Sequence, residues 1–150
     1  MLLCLLGTSG ILSAQTGVRR LQDVHSIYVD SLGNGDGADL IRSKVITKLV
    51  KSGRFDVVQN PDQADVVLIG ASQISKTSHY SASSNSQYGN ASGGTHYNAT
   101  AGVQLVNKEQ KILWADDASN GRFSRSASSS LADRIVKNLL KAIAQDGKNK

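Results

Sequence analysis

At 150 residues and a formal net charge of +5, the chain is the size of one domain, and its charge favours anionic partners: phospholipid headgroups, cell-wall polymers or acidic proteins. Its only cysteine, Cys4, lies in the apolar N-terminus, so the chain beyond it can form no disulfide and no thiolate metal site.

That N-terminus, "MLLCLLGTSGILSAQTG", is apolar, uncharged and closed by small residues. It reads as a secretory signal over 1–14, with the apolar region at Leu2 to Leu12 and cleavage near Ala14 or Gln15. The apolar run is too short to span a bilayer. It departs from the usual signal in having no Lys or Arg after Met1. A bacterial lipoprotein cysteine follows small residues and closes the apolar region, whereas Leu3 precedes Cys4 and more apolar residues follow it, so no lipid anchor is expected. Cysteine-free export fits a periplasmic or secreted bacterial protein and argues against a nucleic-acid partner. Asn90–Ser92 and Asn98–Thr100 match the N-glycosylation pattern, which matters only in a eukaryotic secretory route.

After a short basic leader (15–24), a single domain is expected over 25–146, with a fraying tail at 147–150. "HSIYVDSL" reads as a first strand, Ile27 and Val29 on one face and Tyr28 and Asp30 on the other. A glycine-rich turn leads into "ADLIRSKVITKLVKSG", an amphipathic helix. Its apolar side is Ile41, Val45 and Leu49, with Ile46 and Val50 beside them; Asp36 or Asp39 is expected to cap its start and Gly53 to end it. Arg42 is expected to lay its stem along the apolar edge with its head in water. "RFDVV" reads as a second strand, and "QNPDQ" as a turn. "ADVVLIGASQI" is a third strand, apolar on both faces and therefore central. "TAGVQLVN", "KEQK" and "ILWADDA" read as strand, tight turn and strand. "SNGRFSRSA" is a loop. "SSSLADRIVKNLLKAIAQDG" is a second helix, capped by a serine at 128–130 and apolar along Leu131, Ile135, Leu139 and Ala142, widened by Val136 and Ile143. The order β-α-β-β-β-β-α predicts an α+β two-layer sandwich. Its sheet is mixed and mostly antiparallel, with both helices on one face.

"KLVKSGRFDVV", "ADVVLIGASQI", "GVQLVNKEQKILWADDAS" and "LADRIVKNLLKAI" together resemble a group of small bacterial envelope domains. The group includes the N-terminal domain of the TolB translocation protein, the periplasmic domain of the curli secretion lipoprotein, and the lipoprotein activators of penicillin-binding proteins. The resemblance runs from about residue 25 to 146. It implies an envelope domain that binds a partner and is not an enzyme; no functional residue carries over. The chain departs from the pattern in lacking a lipobox and in a longer, more polar hairpin at Thr77–Thr100, and no propeller or other domain is expected to follow it.

Catalytic and cofactor motifs are weak. "GNGDGA" (Gly33 to Ala38) fits the dinucleotide form between a strand and a helix, but Asp36 and Asp39 would repel a pyrophosphate, so a turn is expected and no cofactor. A calcium loop lacks an acid at its first position, where Leu32 stands. Asp116 and Asp117, adjacent on a strand, point to opposite faces and cannot share a substrate atom. No nucleophile elbow surrounds any serine.

The segment between strands three and four, "TSHYSASSNSQYGNASGGTHYNAT" (77–100), has no charge and almost no aliphatic residue. Folded as a hairpin with its tip near Gln87–Tyr88, it would set His79 opposite His96, and Tyr80 diagonal to Tyr97 on the other face. Two histidines are too few for a strong metal site, and none is expected. Tyrosine with Ser, Gly and Asn is the composition of adaptable recognition surfaces, and Tyr80, Tyr88 and Tyr97 with His79 and His96 are the candidate partner-binding residues. A mobile polar hairpin without a partner stays open beside that reading. Lys44, Lys48 and Lys51 on the first helix, and Arg134, Lys137 and Lys141 on the second, would form one cationic surface if the helices lie side by side. The leading expectation is protein–protein interaction or assembly through the extended hairpin or an exposed sheet edge; the alternative is attachment to an anionic lipid or polymer through the helices.

Overall fold

A computed structural model describes residues 17–81, 92–120 and 127–148. The expected signal segment, Cys4 and Tyr88 lie outside the described residues. The elements are β1 (Ser26–Val29), α1 (Ala38–Ser52), β2 (Asp56–Val57), β3 (Val66–Ser81), β4 (Ser92–Asn107), β5 (Ile112–Asn120) and α2 (Ala127–Asp146). One sheet runs in the order β2-β1-β3-β4-β5, with β1 parallel to β2 and β3, and β3, β4 and β5 successively antiparallel. This is the expected α+β sandwich, with β3 in the centre. No helix among the described residues is long and apolar enough to cross a membrane.

Period-two alternation decides which face of the sheet is covered. Ile27, Val29, Val66, Leu68, Val103 and Leu105 are at most 1 % exposed and meet Ile41, Val45 and Leu49 of α1 and Leu131, Ile135 and Leu139 of α2. Tyr28, Val67 and Ile69, on the opposite face, are half-buried. Burying a Leu or Ile side chain contributes about 1.5–3 kcal/mol, so these positions hold the layers together.

Several local expectations change. Val50, placed by periodicity beside the apolar arc, is 58 % exposed, because α1 buries the narrower stripe Ile41, Val45 and Leu49. Neither Asp36 nor Asp39 caps α1: the residue before it is Gly37, in the left-handed region, with no side-chain cap. The glycine loop instead lies along the edge of β3, where Ser72 N donates to Leu32 O at 2.7 Å and Ile74 N to Asp36 O at 2.7 Å. A Cβ at Gly35 would collide with the Ser72 carbonyl, which explains a glycine there. Arg42 does not leave its head in water: its Nε and Nη2 donate to Val29 O at 3.0 and 2.7 Å, securing the end of β1. α2 begins at Ala127, so the serines at 128–130 lie inside its first turn and Ser128 is buried.

Residues 17–24, expected as a leader, are packed into the body. Leu21 and Val24 are buried, Arg54 donates to Val24 O and Gln22 O at 3.0 and 2.8 Å, and Asn107 Nδ2 donates to Val18 O at 2.9 Å. The Asn107 amide is 3 % exposed and also organises the β4–β5 turn, its Oδ1 accepting from Glu109 N and Lys111 N.

Candidate functional site: an open-edged ribbon and a basic helix layer

The sheet is wider at one end than at the other. β4 pairs with β5 as far as Ala99↔Asn120, and the last bond from the glycine loop to β3 reaches Ile74. Beyond those points, among the described residues, β3 and β4 pair only with each other, from Ser75↔Asn98 to Ser81↔Ser92. At about 3.4 Å per residue this two-stranded ribbon projects roughly 20 Å past the sheet. Among the described residues, no backbone group on its outer sides has a partner outside the ribbon. Among the described residues each edge therefore presents a row of unpaired amides and carbonyls, the kind of edge to which a further strand can add. Lys76 is the one charged residue on the described part of the ribbon.

The ribbon's register differs from the symmetrical expectation by two residues. His79 pairs with Gly94 and His96 with Thr77, so the two histidines occupy diagonal rather than opposite positions. Tyr80 pairs with Gly93 and Tyr97 with Lys76, too far apart along the strands to be diagonal neighbours. An even shift preserves the face of every position, which is why the strands still alternate as expected. The side chains of His79, Tyr80 and His96 lie outside what the structure describes. Tyr97 is half-buried and packs against the core where the ribbon leaves the body, so it serves as a footing. Among the described residues no three His, Cys, Asp or Glu side chains converge.

Asp116 and Asp117 diverge as their adjacency requires. Asp116 Oδ2 accepts from Asn138 Nδ2 at 2.8 Å on the helix side, while Asp117 is exposed. A shallow depression on the uncovered face is lined by Ile69, Ala71, Gly102, Gln104, Ala115 and Asp117.

The helices do lie side by side, but their cations do not form one uniform surface. Lys48 Nζ meets Asp133 Oδ1 of α2 at 2.6 Å. Lys48, Lys51 and Lys137 border a groove between the helices, with Val136 and Leu140 in its lining. Lys44 lies one turn before Lys48, and Lys141 one turn after Lys137. Arg134 turns the other way and donates to Ser119 O of β5. The groove was not legible in the sequence, because periodicity gives each helix's polar arc but not the rotation of one helix against the other.

Among the described residues, Asp65 carries the one clear pKa displacement. Burial pushes its carboxyl up, but hydrogen bonds from the Ser26 and His25 amides, each at 2.9 Å, outweigh that and hold it below the usual carboxylate range. It fastens the start of β1 to the segment entering β3.

No family model and no curated protein matches the chain. Among solved structures, it is similar to a neuraminyllactose-binding hemagglutinin homologue from Helicobacter pylori, with a TM-score of 0.41 and 8% identity over 83% of this chain and 75% of that one. A likeness at that level carries no argument about function.

Proposed function

We propose that this chain is a non-catalytic, exported envelope domain that recognises a protein partner through the β3–β4 ribbon. The observation that carries the reading is the ribbon itself: paired strands from Ser75↔Asn98 to Ser81↔Ser92, with both outer edges unpaired among the described residues. Natural sheets blunt such edges with charge, proline or cover, because an open edge accepts another strand. This ribbon has Lys76 alone on its described part, no proline, and a Ser, Gly, Asn and Tyr composition. An extended segment of the partner adds to one edge, main-chain bonds supply affinity, and alternate side chains supply selectivity. The resemblance to the TolB-like envelope domains supports the same reading.

The test is a pull-down from envelope extract with the chain from Gln15 onward, beside a variant in which 77–96 is replaced by Asn-Gly. That replacement keeps the Lys76↔Tyr97 pair and closes it with a two-residue hairpin loop. The expected result is a protein held by the intact chain only, in low and high salt. The purified partner then slows amide exchange along one edge of 75–81 or 92–98. Equal capture by both forms, or slowed exchange elsewhere, overturns the proposal.

A further inference from the structure

The positive charge of this protein is unevenly placed. α1 carries Arg42, Lys44, Lys48 and Lys51 against Asp39; α2 carries Arg134, Lys137 and Lys141 against Asp133 and Asp146. Among the other described residues, carboxylates outnumber cations. Among the described residues the helix layer is thus the net-positive part and the remainder net negative; Arg122, Arg125 and Lys150 lie outside the described residues.

The groove between α1 and α2 lies within that basic layer. It has a volume of about 370 Å³ and three ammonium groups at its border, those of Lys48, Lys51 and Lys137. One carboxylate, Asp133, answers them, and it is engaged by Lys48. Among the described residues Lys51 and Lys137 form no ion pair. The lining between them includes Val136, 6 % exposed, and the half-buried Leu140. The C-terminal carbonyls of α1 would oppose an anion. That opposition is reduced, because Ser52 Oγ already donates to Leu49 O at 2.6 Å and Gly53 N to Val50 O at 3.2 Å.

We propose that this groove docks the protein on an anionic phospholipid surface, Lys51 and Lys137 holding a headgroup phosphate and the half-buried Leu140 meeting the apolar part behind it. A small soluble anion would use only the lysines and leave the exposed part of Leu140 in water. A membrane surface uses both, and also brings Lys44 and Lys141, the flanking lysines, within reach of further headgroups. Asp133 acts as an internal competitor, occupying one lysine that would otherwise face the lipid. This site is independent of the ribbon.

The test is flotation of the chain from Gln15 onward with vesicles of phosphatidylglycerol and phosphatidylcholine, compared with phosphatidylcholine alone. Wild type is expected on the anionic vesicles only, and to be released by salt as screening lengths fall. Each lysine near an anionic surface is worth about fivefold in affinity, so Lys51→Glu with Lys137→Glu should lose more than about 25-fold. Lys108→Glu with Lys111→Glu, an equal charge change on the β4–β5 turn, should lose much less. Asp133→Asn should bind about fivefold more tightly, a gain that a purely structural ion pair would not produce. The ribbon-excised variant should bind vesicles like wild type, which separates this proposal from the one above. Circular dichroism confirms that each variant is folded. Equal losses in both lysine pairs, no gain from Asp133→Asn, no binding to anionic vesicles, or displacement by millimolar inorganic phosphate each overturns the proposal.

Discussion

The body and the ribbon share two strands yet are held by different forces. Within the body, β3 and β4 place Leu68, Val103 and Leu105 against two helices, and the side chains determine which face is covered. From Ser75 to Ser81 and from Ser92 to Asn98 the same strands have no helix over them among the described residues, and cross-strand backbone bonds define the pairing. An isolated two-stranded hairpin is marginal in water. This ribbon therefore depends on the body. A long strand can be structural at one end and available for binding at the other.

The sharpest way to break that contrast is to weaken the body. Leu49→Ala, at a site with no exposure, should cost about 2–5 kcal/mol in urea unfolding, by lost burial and the cavity left behind. Next comes Asp65→Ala, which leaves the His25 and Ser26 amides without their acceptor and should cost about 1–3 kcal/mol at neutral pH. The Asp65 carboxyl titrates lower in the folded chain than in the unfolded one. Its contribution is full above the ordinary carboxylate value of about 4 and is lost as pH falls through the folded value. The gap between wild type and variant should therefore narrow in acid, measured by denaturant titration across that range. Replacing 77–96 by Asn-Gly should change stability by less than about 1 kcal/mol, since it leaves every core residue among those described in place. A larger loss would show that the ribbon braces the body. The smallest effect should be Val50→Lys, within about 0.5 kcal/mol, because that side chain faces solvent.

Val50 also shows how far the fold could be read from the chain. Both helices and all five strands were legible because apolar residues recur at helical or alternate spacing, and Ile41, Val45, Leu49, Leu131, Ile135 and Leu139 are buried as that spacing demands. Val50 was misplaced because one helix's periodicity does not fix the width of the stripe its neighbours cover. The capping role of Asp36 and Asp39 failed because the preceding loop is committed to bonds with β3, a long-range pairing that local rules do not see. The ribbon register was off by two residues for a related reason. Nothing apolar in 77–96 distinguishes one even shift from another, and the register is set from the body outward, by Leu68↔Leu105 and the pairs that follow. Of the candidate residues, the positions of His79, Tyr80, His96 and Tyr97 along the ribbon were legible to within that shift. The separation of Arg134 from Lys137 was not, because it depends on Ser119 of a neighbouring strand.

The anchoring of residues 17–24 gives the molecule a direction. Gly17 N bonds Glu109 Oε1, and Val18 O bonds Asn107, both at the turn where β4 ends. The ribbon occupies the other end of that strand, which is 16 residues long, so about 50 Å separates the two. The chain enters at one pole and offers its open edges at the opposite one. Anything fused upstream of Gly17, whether an affinity tag or a surface linker, holds the protein by its base and leaves the ribbon pointing away from the point of attachment.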